Sequence, residues 1–217
     1  YAYNDKTEVT AFNLRNEEGY QRFDLVCSGK VIKDVRLQIP GIHNIENTLA
    51  AAAVCMNLGV NEDQIAEGIS TFTGVNRRFD TRVRQNHCIY IDDYAHHPRE
   101  LEAFISSVRQ IYPGKKLTGL FQPHLFSRTK DFAEGFAQSL DLLDEAWLLD
   151  IYPARELPVP GVTSELILEK MKLENKKLVS KEQVLKLLQA KTPQIFLTIG
   201  AGDIDTLVEP ITKIFES

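Results

Sequence analysis

Residues 91–100 read IDDYAHHPRE, and the four residues before them read HCIY. CIYI (88–91) is a short apolar run of β-branched and aromatic residues, which marks an inner strand. The chain ends that strand on Asp92, Asp93, Tyr94, His96 and His97 and then sets Pro98, a favoured first residue of a helix. The titratable groups therefore gather at the carboxyl end of a strand, ahead of a helix. The stretch is either the edge of an active site or an unusually polar loop, and the flanking sequence must decide between them.

Downstream the same rhythm repeats. KLTGLF (116–121), EAWLLD (145–150), KKLV (176–179) and QIFLTI (194–199) are further strand candidates, and helical patterns cover 98–111, 129–142, 164–173, 181–190 and 204–215. Ser180 with Gln183 forms a capping box. Alternating strands and helices imply a parallel sheet with right-handed crossovers and helices on both faces. Residues 85–217 are thus expected to be an α/β, Rossmann-like domain with a mostly parallel sheet.

Upstream the pattern differs. EVTAFNLR, YQRFDLVCSG and KVIKDVRLQI read as β, with turns at Glu17-Glu18-Gly19 and Ser28-Gly29-Lys30. Asn44–Leu58 reads as a mostly buried helix closed by Gly59, and Asn61 with Gln64 is a capping box that opens a second helix. VNRRFDTRVRQN (75–86) reads as a linker with one extended segment. Residues 1–84 are expected to be the β/α tail of a different domain. The chain starts in mid-pattern without Met or a signal peptide, which suggests a fragment.

Bulk properties narrow the function classes. The 217 residues are 43% hydrophobic and 25% charged, ordinary for a globular chain. A net charge of −5 and a pI near 5.6 argue against a nucleic-acid partner, whose binding proteins are usually basic. No apolar run is long enough to span a bilayer, so no membrane role is expected. Cys27, Cys55 and Cys88 are odd in number and far apart, which fits a reducing, cytoplasmic compartment rather than a disulfide framework or zinc site. The oligomeric state is not legible.

In open α/β sheets ligands bind outside the carboxyl ends of the strands. Those ends here carry Asp92 to His97, Gln122 to Arg128, Asp150 to Arg155 and the Gly200–Asp203 turn. Each feature also has a plainer reading. Asp92 and Asp93 point to opposite faces of a strand, so at most one meets a given ligand. His97 fits a helix cap, whereas His96 is better placed to project into the rim. His124 is either a packed turn residue or a ligand. GAGD lacks phosphate-loop spacing, and tight packing explains its glycines better. Of Arg77, Arg78, Arg82 and Arg84, the last two read as a solvated face. Asn44 and Asn47 share a helix face, and an amide suits an adenine edge because it both donates and accepts. The plainer account is an N-cap and a satisfied core polar group.

Six stretches in this order, GIHNIENTLAAAAV, NRRFD, IDDYAHHP, FQPHLFSRT, LLDIYPARELPVPGVTS and TIGAGD, resemble the Mur ligases of bacterial peptidoglycan synthesis over roughly residues 40–217. Within that family they are most similar to the branch that joins L-alanine to UDP-N-acetylmuramate. The resemblance implies an ATP-dependent amide ligase that works through an acyl phosphate. Residues 1–84 would then be the C-terminal part of the central ATP-binding domain, and 85–217 the C-terminal domain. ATP and Mg2+ would be the cofactors, with the magnesium ligands and the Gly-Lys-Thr/Ser phosphate loop mostly outside this chain. UDP-N-acetylmuramate and L-alanine would be the small-molecule substrates.

Carried over residue by residue, the resemblance places Asn44 and Asn47 on adenine, with His43 and Arg78 near the nucleotide. It places Asp93 on the ribose hydroxyls, and Tyr94 and His96 at the reacting end. Arg128 would hold a carboxylate or phosphate with its planar fork, with His124 beside it at the substrate. One departure stands out: some members carry arginine after Gln-Pro-His, where this chain has Leu125. Three alternatives remain at this level. The first is a related ligase that attaches a murein tripeptide to the same UDP-sugar. The second is a metal-dependent phosphoesterase using Asp92, Asp93, His96 and His97. The third is a nucleotide-binding module without catalysis.

Overall fold

The computed structural model describes residues 2–5, 7–17, 20–27 and 29–217; Glu18, Gly19 and Ser28, on which the two expected N-terminal turns depend, lie outside them. The chain divides into two compact units, Tyr1–Val75 with Gln110–Tyr112, and Asn76–Arg109 with Pro113–Ser217.

In the first unit β1 (Ala2–Tyr3) runs parallel to β2 (Val9–Glu17), and β2, β3 (Tyr20–Cys27) and β4 (Lys30–Leu37) form an antiparallel sheet. Alternation along β3 turns Phe23, Leu25 and Cys27 inward. They pack on Ile45, Leu49 and Ala52 of α1 (Ile42–Asn57) and on Ile65 of α2 (Glu62–Thr71). The expectation of a mostly buried α1 is corrected. Its buried residues Ile45, Thr48, Leu49 and Ala52 recur at helical spacing and form one stripe, while Ala51 and Val54 lie exposed. The helix also begins at Ile42, so Asn44 lies within it rather than capping it. α2 opens on the expected capping box, with both reciprocal hydrogen bonds between Asn61 and Gln64 formed.

The second unit holds β5 (Asp80–Arg84), β6 (Ile89–Asp93), β7 (Leu117–Phe121), β8 (Glu145–Leu148), β9 (Lys176–Leu178) and β10 (Ile195–Ile199), in the sheet order β5-β6-β10-β7-β8-β9. All neighbouring pairs are parallel except β5 with β6. This is the α/β sheet the alternating pattern implied. The division expected after Arg84 is corrected to Val75, because the supposed linker supplies β5. Without β5, β6 would end the sheet with unpaired backbone groups; β5 takes them up and buries Val83 against the sheet.

Helices α3 (Pro98–Ile111), α4 (Phe126–Leu140), α5 (Glu165–Lys170), α6 (Lys181–Ala190) and α7 (Val208–Glu216) complete the unit, with a 3-10 turn over Asp203–Leu207. α4 starts before the expected Thr129, which brings Arg128 into its first turn. Every residue of β7 and β10 is buried, as parallel strands covered on both faces require. On one face the rings of Tyr90, Trp147, Phe196 and Phe215 pack with neighbouring centroids 5.6–5.9 Å apart, against Val184 and Leu188 of α6 and Ile211 of α7. Strand alternation sends Asp92 to the face of Tyr90 and Asp93 to the face of Ile91.

Ser180 accepts from the Gln183 N–H and closes the capping box of α6. The only tryptophan in the sequence, Trp147, lies in the core that α6 covers and reports on it. Ser180→Ala is expected to lower the stability of this unit by about 1 kcal/mol, measured by urea unfolding followed through Trp147 fluorescence.

Candidate active site at the carboxyl rim of the sheet

β6 delivers Asp92 and Asp93 to the same strand end, and the fold treats them differently. Asp92 is fully buried. Thr198 Oγ1, on β10, donates to its Oδ1 at 2.6 Å, and Arg77 Nε donates to its Oδ2 at 3.0 Å. Arg77 Nη2 also donates to the Gly200 carbonyl at 2.5 Å, and the Arg77 carbonyl accepts from the Tyr94 N–H at 2.6 Å. Arg77 therefore ties the turn before β5 to the loops after β6 and β10. Burial pushes the Asp92 carboxyl above its ordinary range, against the opposing pull of Thr198 and Arg77.

Asp93, on the other face, accepts the Phe79 N–H at Oδ2 (2.7 Å) and the Ala95 N–H at Oδ1 (2.8 Å). Burial pushes its carboxyl up to about 6. The turn that presents the Phe79 N–H is strained: Arg77 has φ 61° and Phe79 φ 48°, in the left-handed region that bulky side chains avoid. The bonds of Asp92 and Asp93 hold it there, as does the buried Phe79 ring, edge-on to Phe104 at 5.5 Å. Arg78 stands exposed between these two residues, and its side chain makes no hydrogen bond or ion pair among the described residues. Its charge favours the ionised form of Asp93.

The remaining rim residues form a second cluster. His96 and His124 lie edge to face with centroids 6.2 Å apart, and His124 stacks on Tyr152 at 5.7 Å. Tyr94 packs edge-on to His96 at 5.5 Å. Arg128 Nη1 donates to His124 Nδ1 at 3.3 Å. Desolvation first, then the charges of Arg128 and His96, hold the His124 imidazole below its ordinary pKa and keep it neutral at neutral pH. His97 is taken up otherwise: its carbonyl accepts from Glu100 and Leu101, its Nδ1 accepts from the Arg99 N–H at 3.4 Å, and its ring packs on Phe132. It caps α3.

Neighbouring loops lock this cluster in place. Leu125 precedes α4 with φ 72°, and its N–H donates to the Tyr152 carbonyl at 2.9 Å. Glu156 accepts from the Ser127 N–H at 2.9 Å and from its hydroxyl at 2.5 Å, placing a carboxylate at the positive end of α4. The GAGD glycines serve packing: a Cβ at Gly202 would stand 2.5 Å from Gln122 Oε1 and 2.6 Å from Tyr152 Cβ. A cleft of about 250 Å3 opens beside them, lined among others by Gln122, Asp150, Tyr152, Lys181 and Asp203. None of the expected site residues lines it.

The sheet unit thus brings Arg78, Asp93, Tyr94, His96, His124 and Arg128 to one rim. His43, Asn44 and Asn47 belong to the first unit, on the first turns of α1. Asn44 Nδ2 donates to the Pro40 carbonyl at 3.0 Å, and His43 and Asn47 are exposed. The phosphoesterase alternative finds no geometry: Asp92 is committed to Arg77 and Thr198, His97 to α3, and among the described residues no group of three or more His, Cys, Asp or Glu could hold a metal. Arg77 and Glu100 were missed from sequence. The signal for Arg77 was present, since a carboxylate inside an inner strand demands a cationic or hydrogen-bonding partner.

Two outcomes are expected. Arg77→Met leaves Asp92 buried without its cation and should destabilise the sheet unit by about 3–5 kcal/mol, read by chemical unfolding. Arg128→Ala removes one of the charges that depress His124, so the His124 pKa should rise in an NMR titration.

The family pattern described as "Mur ligase, glutamate ligase domain" matches residues 77–202. The UDP-N-acetylmuramate–L-alanine ligase of Flavobacterium johnsoniae is 47% identical over 213 residues, 98% of this chain and 47% of that protein. That of Porphyromonas gingivalis strain W83 is 50% identical over 213 residues, again 98% of this chain and 47% of the relative. The crystal structure of UDP-N-acetylmuramate-alanine ligase from Thermotoga maritima shares the fold with TM-score 0.80 at 24% identity, covering 99% of this chain and 47% of that one. The MurF ligase of Thermotoga maritima in complex with ADP matches with TM-score 0.71 at 20% identity, over 99% and 48% of the two chains. The chain spans about half the length of the curated relatives it matches. The family pattern covers more than half of the chain, and these relatives are 47–50% identical over nearly all of it: this chain belongs to the Mur ligase family.

Proposed function

We propose that this chain works as about half of an ATP-dependent ligase that joins L-alanine to the lactyl carboxylate of UDP-N-acetylmuramate, in the cytoplasmic synthesis of peptidoglycan precursors. The observation that carries this reading is the 47–50% identity, over nearly the whole chain, to relatives named for that reaction. A carboxylate is a poor electrophile. Phosphorylation by ATP makes it an acyl phosphate with a good leaving group, and the alanine amine then displaces phosphate. No Gly-Lys-Thr/Ser loop occurs in this sequence, so residues 1–217 alone are expected neither to hydrolyse ATP nor to form the amide. Magnesium would be held mostly by residues outside this chain; among the described residues no group of three or more His, Cys, Asp or Glu could hold a metal ion.

The residues divide by chemistry. Residues 1–75 would be the end of the ATP-binding domain, with Asn44 and Asn47 reading adenine and His43 nearby. Asp93 keeps unused lone pairs beyond its two backbone N–H bonds and would accept from the ribose hydroxyls, while exposed Arg78 meets the nucleotide. Tyr94, His96 and His124 would face the reacting end, and Arg128 would hold the alanine carboxylate or a phosphate. The first turn of α4 supports that last role by giving Arg128 a fixed base and a neutral neighbour rather than a second cation.

Three measurements on the full-length protein test this. Asp93→Ala should raise the KM for ATP about tenfold or more, the scale of a hydrogen bond to a charged group; an unchanged KM removes the ribose role. With the Asp93 carboxyl near 6 its charge is complete only above that pH, so the KM for ATP should rise as pH falls through about 6. That dependence should vanish in the variant. Finally, L-alanine should outcompete a murein tripeptide as acceptor; the opposite order would favour the tripeptide ligase.

A further inference from the structure

We infer that Glu100 and His96 form an oriented base pair, in which His96 Nε2 takes a proton from the ammonium group of the incoming amino acid. The inference rests on the ligase reading above and assigns roles to its rim. The tautomers follow from the partners. His96 Nδ1 lies 3.0 Å from the Tyr94 carbonyl, which can only accept, so the proton sits on Nδ1 and Nε2 carries the lone pair. His124 is the reverse. Its Nδ1 faces the Arg128 guanidinium at 3.3 Å, which can only donate, so Nε2 holds the proton. Of the two imidazoles, one presents a base and the other a donor.

Glu100 makes the first arrangement stable. Its Oε2 accepts the His96 N–H at 2.9 Å and the His97 N–H at 3.2 Å, and lies 3.4 Å from His96 Nδ1. One carboxylate oxygen therefore covers the start of α3 and stands beside the ring nitrogen that becomes the positive N–H when Nε2 is protonated. Tyr94 and Glu100 on its own segment, and His124 with Arg128 from the loop and helix after β7, are the titratable and charged groups that face His96. Of these, the Glu100 carboxylate stands directly against His96 Nδ1, whereas Arg128 reaches it only by way of His124.

An amino acid arrives as an ammonium ion and has no lone pair to attack with. The N–H bond breaks, its electron pair stays on nitrogen, and the proton goes to His96 Nε2. The amine nitrogen then bonds to the acyl carbon, the carbon–oxygen bond to phosphate breaks with its pair on oxygen, and the second nitrogen proton leaves with phosphate. His96 is the catalytic base, His124 a donor to a developing oxygen charge, and Glu100 a positioning residue.

The test uses the full-length enzyme with two acceptors, L-alanine and hydroxylamine. Hydroxylamine is largely unprotonated at neutral pH and needs no base. In His96→Ala the ratio of alanine ligation to hydroxamate formation should fall about 100-fold, the scale of general-base catalysis. An equal fall with both acceptors overturns the base role. Glu100→Gln keeps an oxygen acceptor for the start of α3 but removes the charge. It should lower ligation of L-alanine more than hydroxamate formation, and an equal effect on both acceptors removes Glu100 from the pair. If wild-type enzyme forms no hydroxamate from UDP-N-acetylmuramate and ATP, the ligase reading itself fails.

Discussion

The site depends on a single buried carboxylate. Asp92 has no exposed surface and sits at the end of an inner strand. A charge there is tolerable only with partners, and the fold supplies Thr198 from the next strand and Arg77 from the turn before β5. Such pairs seldom add much net stability, because desolvation offsets attraction. Their effect here is positional. Arg77 reaches Asp92 and the Gly200 carbonyl while its own carbonyl takes the Tyr94 N–H. Three chain segments that carry rim residues are thereby held in one register.

The same staple explains the strain beside it. Arg77 and Phe79 take left-handed backbone angles, and the Phe79 N–H reaches Asp93 as a result. The neighbouring acids thus do separate work from opposite faces of β6. Asp92 fastens the turn, and Asp93 uses it while keeping a pKa of about 6 and acceptor capacity to spare. The strain exposes Arg78 between two anchored neighbours. Across the rim, Leu125 stands immediately before α4. It takes a left-handed angle and fastens its N–H to the Tyr152 carbonyl. Arg128 and neutral His124 then define the local charge.

Much of this was legible in the sequence. The apolar runs at 88–91, 116–121 and 194–199 mark inner strands because burial on both faces leaves no polar alternation to confuse them. The capping boxes at Asn61 and Ser180 form as read, since both of their bonds are local. His97 proved to be a cap, as its place before Pro98 allowed. The failures involve long-range partners. Residues 75–86 read as a linker with one extended segment because that strand is short and polar, and only the open side of β6 gives it a partner. Arg77 and Arg78 are indistinguishable in NRRFD. One is a staple and the other free because Asp92, fifteen residues on, reaches only one of them.

The sequence by itself determined the alternating α/β order, the strand ends that would carry the site, and the family to which the chain is similar. These are set by local hydrophobic periodicity and by residue types in order, which need no folding to be read. Only the tertiary structure decided which histidine faces a backbone carbonyl and which an arginine, which acid is buried, which arginine is fastened, and where the first unit ends. Protonation and charge are settled by the groups that surround a side chain. Those groups come from strands and loops far apart in the chain, so their effect exists only once the sheet has brought them together.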